Sequence, residues 1–217
     1  DGITYGEGAS ALKQLYFTLG ADDFQEGLQR YFEAYAFKNT AIADFFRKLG
    51  EASGQDLVRW NQLWMLTPKP NWVRASWTCG IQEKTGKSVL SELKLQQGPD
   101  GEIRPHHMQV GLYRVKNGSF EKIERAVKKG RKIEKEIVIA QLTQPVTIIE
   151  EPETIACPDF VVPNQEDWDY IRVLFDPKSR DVAEKNLSRI PDSLTRQLVW
   201  RSLWEELIQG PSEGQAP

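Results

Sequence analysis

The sequence is poor in the residues that build most metal and redox sites. Its 217 residues include only two cysteines, two histidines and two methionines. Cys79 and Cys157 are too few and too far apart for a disulfide framework, so we expect two reduced thiols in or beside a core. Reduced thiols are typical of a reducing compartment, and we therefore predict a cytoplasmic location.

Complete catalytic and cofactor motifs are missing as well. The sequence contains no HExxH, CxxC or GxSxG motif, no Walker-type glycine loop, and no GxGxxG after a strand. The neighbours His106 and His107 cannot clamp a metal from a strand, because adjacent side chains point to opposite faces. We expect a surface role for them, although one could still join a carboxylate from elsewhere. We thus predict that this chain contributes no metal ligand.

Charge of one sign and long apolar runs are also scarce. The net charge of −3 leaves no basic footprint, which argues against nucleic acid as the main partner. No apolar run reaches about 18 residues, so we predict no membrane span. The basic stretch "KKGRKIEKE" contains a turn and is interleaved with acidic residues, which indicates a solvated hairpin.

The residues up to about 70 have helical periodicity. Three stretches repeat apolar residues at helical spacing, "ADDFQEGLQRYFEAYAF", "NTAIADFFRKLGEASG" and "QDLVRWNQLWMLTP". Their aromatic residues are predicted to face a core. Asn39 or Thr40 is expected to cap the second stretch, and Pro68 and Pro70 end the third.

After Pro70 the apolar period changes from 3.6 to 2. Seven or eight short runs rich in Val, Ile and aromatic residues alternate with Gly, Asn and Asp turns, which predicts an antiparallel β-sandwich. Asp176 and Pro177 then start further helices as N-cap and first residue. The last of these helices carries Leu194, Leu198, Leu203 and Leu207, and the two helices are not expected to bury their apolar faces well alone. We predict a multidomain α+β protein with domains at 1–70, 71–175 and 176–217.

The opening "ITYGEGASAL" resembles the segment that follows the metal site in the aminopeptidase N family of zinc metallopeptidases. Three later passages resemble family landmarks in the same order, "YFEAYAFKNTAIADFFRKLGEASGQDL", "LVRWNQLWMLTPKPNWV" and "DFVVPNQEDWDYIRVLFD". The resemblance covers nearly the whole chain and is strongest to the soluble actinobacterial type. It implies that residues 1–70 are the helical end of a thermolysin-like catalytic domain, followed by a β-sandwich and the first helices of an α-helical domain.

The resemblance also implies a catalytic role for Tyr5. In the family this tyrosine donates its hydroxyl to the oxyanion that forms when water attacks the scissile carbonyl, as a preorganised donor can do. The zinc and the general-base glutamate come from upstream residues, so we expect this chain to be the C-terminal part of a larger aminopeptidase. Its partners would be peptide substrates and the N-terminal catalytic portion. Glu7 departs from the family pattern, which has lysine there, and this leaves side-chain specificity open.

The sequence leaves other interpretations of Tyr5 and of the strand region open. Tyr5 could be an ordinary aromatic residue at a loop-to-helix junction. The strand region could be a non-catalytic module that binds peptide or carbohydrate, which a ligand groove remote from Tyr5 would favour. The protein could also be a scaffold that kept the fold and lost the chemistry, and the upstream sequence decides that case. The chain by itself is expected to be inactive.

Overall fold

A computed structural model of the protein describes residues 3–98, 102–130, 132–149 and 155–209. A single π-helical turn at Ile3–Glu7 leads directly into the first helix. The helices that follow are α1 (Gly8–Leu19), α2 (Ala21–Tyr35), α3 (Ile42–Ser53) and α4 (Leu57–Met65). These elements form the helical region (residues 3–65). They confirm the helices that the periodicity of the sequence predicted.

The helical region has its own small core. Helices α1, α3 and α4 contribute its buried residues, which are Ala11, Leu15, Leu19, Phe46, Leu49, Leu57, Trp60, Leu63 and Trp64. Helix α2 differs from expectation, because its one buried residue is Gly27. Phe32, predicted to face a core, is 62% exposed. At Gly27 the backbone of α2 lies close to α3. The aromatic side chains of α2 therefore lie beside this contact and not within it.

In the part of the chain that the structure describes, ten strands follow the helices and form the strand region (residues 71–174). The strands are β1 (Asn71–Ile81), β2 (Ser88–Gly98), β3 (His106–Lys116), β4 (Ser119–Ile123), β5 (Arg125–Lys129), β6 (Lys132–Glu136), β7 (Val138–Leu142), β8 (Val146–Ile149), β9 (Phe160–Gln165) and β10 (Ile171–Leu174). One sheet has the order β10-β1-β2-β8, and the other has β4-β3-β7 with β9 also paired to β3. Strands β5 and β6 form a separate hairpin, as the sequence "KKGRKIEKE" predicted.

The two sheets share one hydrophobic core, which confirms the β-sandwich. Val73, Leu93 and Leu95 from the first sheet and Met108 and Leu112 from the second belong to the same buried cluster. Alternate residues of β1 are buried along its first half, as expected for a strand with one face on a core. The described strand pairs are antiparallel except β1 and β10, which run parallel and place Asn71 opposite Ile171.

Two helices complete the described chain, α5 (Pro177–Asn186) and α6 (Ser193–Gln209), with a short 3-10 turn at Leu187–Arg189 between them. The predicted cap is present, since the Asp176 carboxylate accepts the N–H groups of Lys178 and Ser179. The apolar residues of α6 are buried only in part. Leu198 is buried, but Leu207 is 75% exposed beside exposed Trp204 and Ile208.

The prediction of two free thiols is wrong, because Cys79 and Cys157 form a disulfide across 78 residues. Ala156 bridges to Val89 at the start of β2, and the Cys157 N–H donates to the Ser88 carbonyl at 3.2 Å. These backbone contacts bring Cys157 to the end of β1, where its Cα lies 5.7 Å from that of Cys79. The argument for a reducing compartment, which rested on free thiols, falls with this prediction.

Among the described residues, no helix combines the length and apolar character that crossing a bilayer would require. Helix gives way to strand between Met65 and Asn71, and strand to helix between Leu174 and Pro177. The division into domains at 70 and 175 stays a prediction.

Candidate active site

Tyr5 lies on the π-helical turn ahead of α1, and its side chain is 77% exposed. Gly6 and Gly8 stand on either side of Glu7, and a Cβ built on either glycine would meet no atom within 4 Å. The Ser10 hydroxyl donates to the Gly6 carbonyl at 2.9 Å and closes the turn onto α1. The phenol of Tyr5 is therefore accessible, on a turn with open space around its backbone.

Glu7 connects this turn to the strand region. Its carboxylate oxygen Oε1 accepts a hydrogen bond of 2.6 Å from the Tyr170 hydroxyl, 163 positions along the chain. The pKa of Tyr170 is raised, first by burial of the phenol and then by the hydrogen bond to Glu7. The residue that departs from the family pattern thus has a defined partner in the structure.

Tyr170 ends the β9–β10 loop (residues 166–170), which is held in an unusual backbone conformation. Asn164, Glu166 and Asp167 all have positive φ, at 61°, 66° and 55°. The Asn164 side chain closes the loop, since its Nδ2 donates to the Asp169 carbonyl at 2.7 Å and its Oδ1 accepts the Asp169 N–H at 2.8 Å. Such strained residues persist only where their surroundings fix them.

Helix α1 rests on the same loop. Lys13 donates from Nζ to the Glu166 carbonyl at 2.8 Å and lies 4.9 Å from the centre of the Trp168 ring. Phe17, one turn further on, stacks on Trp168 with ring centres 4.7 Å apart. The loop therefore contacts α1 along two turns and reaches the preceding turn through Tyr170.

Two open cavities meet at this contact, and Glu7, Lys69 and Tyr170 line both. One, of about 570 Å³, also has Ser10, Arg172, Arg201 and Glu205 on its wall. The other, of about 550 Å³, is bounded by Trp64, Thr67 and Arg104 among others. Space for a ligand is therefore present beside Glu7.

Beneath these cavities, His106 corrects the prediction of a surface role. It is 2% exposed, with Nδ1 2.8 Å from Asp169 Oδ2 and Nε2 3.1 Å from Asn71 Oδ1. His107 is half-buried against Phe17 with ring centres 4.7 Å apart, and burial lowers its pKa while the Asp169 charge opposes that shift. The two rings thus have different neighbours.

Arg104 is a structural residue that the sequence did not indicate. It is 3% exposed and donates to four backbone carbonyls at the end of α4 and just after it, those of Leu63 at 2.7 Å, Thr67 at 2.6 Å, Pro68 at 3.4 Å and Lys69 at 2.5 Å. Burial lowers the pKa of its guanidinium. No local pattern marks an arginine in a loop for this role, because its partners lie more than thirty positions away.

The described residues do not fit the zinc that the family resemblance implies. No group of three or more His, Cys, Asp and Glu side chains comes together among them. His106 has one carboxylate neighbour, Asp169, but its other ring nitrogen faces the Asn71 amide oxygen. We therefore assign no metal site to this part of the chain.

A further cavity of about 810 Å³ lies at the opposite end of the strand region, next to the disulfide. Its wall includes Lys87, Arg114, Cys157 and Asp159. Strand β1 begins beside Arg104 and ends near this cavity, and its 11 residues span roughly 35 Å at about 3.3 Å per residue. The cavity is therefore remote from Tyr5.

Comparison with known proteins identifies the class to which this architecture is related. Residues 1–64, which contain Tyr5, match the Peptidase family M1 domain. Aminopeptidase N of Streptomyces lividans is 31% identical over 214 residues, an alignment that covers 94% of this chain and 23% of that protein. The first match relates residues 1–64 to the M1 peptidases, and the second relates nearly the whole chain to an aminopeptidase, a peptidase hydrolase.

A further relative matches a shorter stretch, and a solved structure matches the fold of the whole chain. Human glutamyl aminopeptidase is 45% identical over 53 residues, which cover 24% of this chain and 6% of that protein. The crystal structure of Legionella pneumophila aminopeptidase A in complex with aspartic acid superposes on all of this chain and 23% of its own, with a TM-score of 0.63 and 12% identity. That structure supports the fold. The chain spans about a quarter of the length of the Streptomyces relative.

Proposed function

We propose that this chain supplies one catalytic residue, Tyr5, to an M1-type aminopeptidase that removes N-terminal residues from peptides. One observation carries the proposal. The phenol of Tyr5 is 77% exposed on a glycine-flanked turn, within the residues that match the M1 domain. A tyrosine that only packed at a helix start would be expected to bury its ring.

The chemistry assigned to Tyr5 is hydrogen-bond donation. A tyrosine hydroxyl is a donor that can point at an oxygen on which negative charge develops. When the scissile carbonyl becomes tetrahedral, Tyr5 donates to its oxyanion, and the bond is stronger in the transition state than in the ground state. Gly6 and Gly8 leave room for substrate backbone beside the ring.

Zinc and the general base are assigned to residues outside the part of the chain that the structure describes. The described part of the chain brings no ligand set together, so the chain by itself is proposed to be inactive. Purified 217-residue chain should not hydrolyse an aminoacyl anilide with or without added zinc. Zinc-dependent turnover that remains after repeated purification would contradict this part of the proposal.

The role of Tyr5 is tested by Tyr5→Phe in the aminopeptidase that contains this chain. Loss of one oxyanion donor is expected to lower kcat by about 10²–10³-fold with little change in KM. Tyr35→Phe is the matched control, because Tyr35 lies on α2 and bonds Asp44 at 3.1 Å. Equal kcat values for the two variants would overturn the assignment.

A cytoplasmic location also stays a proposal, and the disulfide is the observation against it. Disulfides persist mainly in oxidising compartments. Titration of free thiols in protein isolated under alkylating conditions measures the native state directly. Two free thiols per chain would support a cytoplasmic location. A chain without free thiols would contradict it.

A second function is favoured by the cavity beside the disulfide, which is remote from Tyr5. Lys87 and Arg114 on its wall could bind a carboxylate or another acidic group of a peptide or glycan. Calorimetric titration with acidic oligopeptides and oligosaccharides tests this, with Lys87→Ala as the variant. Absence of binding at millimolar ligand would exclude it.

A further inference from the structure

The hydrogen bond between Tyr170 and Glu7 joins two parts of the molecule that the sequence places 163 positions apart. Glu7 follows Tyr5 by two residues on the same π-helical turn. Tyr170 belongs to the β9–β10 loop, and its ring packs against the core of the helical region. The strand region therefore reaches the turn that carries the proposed catalytic phenol.

We propose that Tyr170 and Glu7 are positioning residues, whose hydrogen bond fixes the Tyr5 turn against the β9–β10 loop. This inference rests on the proposed function of Tyr5. A hydroxyl-to-carboxylate bond of 2.6 Å is short and charge-assisted, and bonds of that kind are directional as well as strong. A catalytic donor must be held within about 0.5 Å of its productive position, and neighbouring side chains usually provide that restraint.

The Tyr5 turn needs such a restraint. The Tyr5 side chain is mostly exposed, and Gly6 and Gly8 add no side chain that could pack. The bond from Ser10 to the Gly6 carbonyl is local to the turn and α1. Among the side-chain hydrogen bonds of the described residues 5–10, the one from Tyr170 to Glu7 leads to a distant element.

Tyr170 is well placed to be the fixed partner. The loop before it is closed by the two hydrogen bonds between Asn164 and Asp169, and Asp169 also contacts buried His106. The residue after it, Ile171, pairs with Asn71 at the start of β1. The Tyr170 backbone is therefore anchored on both sides, so its hydroxyl offers a constant point for Glu7.

A structural role alone would affect stability and leave the position of Tyr5 unchanged, so the test must report that position. The probe is 3-fluorotyrosine at position 5 of the 217-residue chain, followed by fluorine NMR. Tyr170→Phe and Glu7→Ala each remove the bond, and we expect the same shift of the resonance in both. The double variant should shift no further, since both changes remove one interaction.

Two further variants serve as controls. Glu7→Gln keeps an oxygen that can accept the Tyr170 hydroxyl, and its resonance should stay near that of the unmodified chain. Tyr35→Phe removes a comparable hydroxyl-to-carboxylate bond, to Asp44, elsewhere in the helical region, and should not move the resonance. If Tyr170→Phe does not fold, Glu7→Ala decides the test alone, because Glu7 is exposed. An unmoved resonance in folded Glu7→Ala, or independent shifts that add in the double variant, overturns the proposal.

The activity arm separates this inference from the function of Tyr5. In the aminopeptidase that contains this chain, Tyr170→Phe should lower kcat more than it changes KM, by up to the roughly 10²-fold that a 1 Å misplacement costs. Glu7→Gln should retain most of the rate. If the resonance shifts but Tyr5→Phe is fully active, the function assigned to Tyr5 fails and the contact stands. If Tyr5→Phe is inactive but the resonance does not move, the positioning role fails.

Discussion

The helical region and the strand region are stabilised in different ways. The strand region has a large core shared by two sheets and by the following helices, and a disulfide links the end of β1 to the segment before β9. The helical region has a smaller core and exposes several large apolar side chains, including Phe32, Phe37 and Val58. The region that carries Tyr5 is therefore the less self-sufficient of the two.

The contacts between the regions combine specific hydrogen bonds with aromatic packing, such as Phe17 on Trp168. Arg104 bonds the end of α4, the β9–β10 loop supports α1, and Tyr170 bonds Glu7. The hydrogen bonds of the junction fix orientation more than they add stability, because each bond replaces one to water. The comparison thus predicts that the strand region determines where the helical region sits, and the following changes test it in order of expected effect.

The largest effect is expected from loss of the disulfide. Changing Cys79→Ser together with Cys157→Ser opens a loop closed across 78 residues, and the chain-entropy model gives a loss of about 4 kcal/mol in the free energy of unfolding. Urea denaturation followed by tryptophan fluorescence measures it. Reductant should lower the midpoint of the unmodified chain and leave the double variant unchanged. A double variant as stable as the unmodified chain would show that the crosslink does not stabilise the strand region.

A smaller effect is expected at the junction, from Arg104→Ala. Four backbone carbonyls would lose a charged donor inside the protein, which costs about 3 kcal/mol of unfolding free energy. The control is Arg59→Ala on the exposed side of α4, where a surface change stays within about 0.5 kcal/mol. At a low protease concentration, the first cleavages of the Arg104→Ala variant should fall in the helical region and not in the strand region. Equal stability of the two variants would show that Arg104 does not hold the junction.

The sequence predicted elements that depend on local pattern and missed those that depend on distant pairing. Period-3.6 and period-2 runs placed the helices and strands, and Asp176 caps α5 as its position before Pro177 implied. The start of α3 was predicted one or two residues early, at Asn39 or Thr40. The helix begins after Ala41, whose N–H donates to the Asp44 carboxylate at 3.1 Å.

The candidate site divides in the same way. Tyr5 could be selected because a short motif and three ordered landmarks point to it. The Glu7–Tyr170 bond, the contacts of buried His106 and the disulfide could not be predicted, because each joins residues that lie from 35 to 163 positions apart in the sequence. Single-sequence patterns carry no information on such pairings, so a motif could single out Tyr5 as a candidate but could not indicate these long-range contacts.

The smallest of these effects concerns the packing inside the helical region, and Gly27→Ala tests it. A Cβ on Gly27 would lie 2.5 Å from Leu49 Cδ2 and 2.9 Å from Leu49 Cα, so α2 would have to move away from α3. Overpacking of this kind costs about 1–3 kcal/mol, more than alanine gains over glycine as a helix former. Gly8→Ala is the control, because its Cβ meets nothing within 4 Å and the change should be neutral or stabilising. The loss in Gly27→Ala should add to that of Arg104→Ala, since the two residues share no partner. Thermal denaturation of the single and double variants measures this, and a Gly27→Ala chain as stable as Gly8→Ala would show that α2 and α3 are not in close contact.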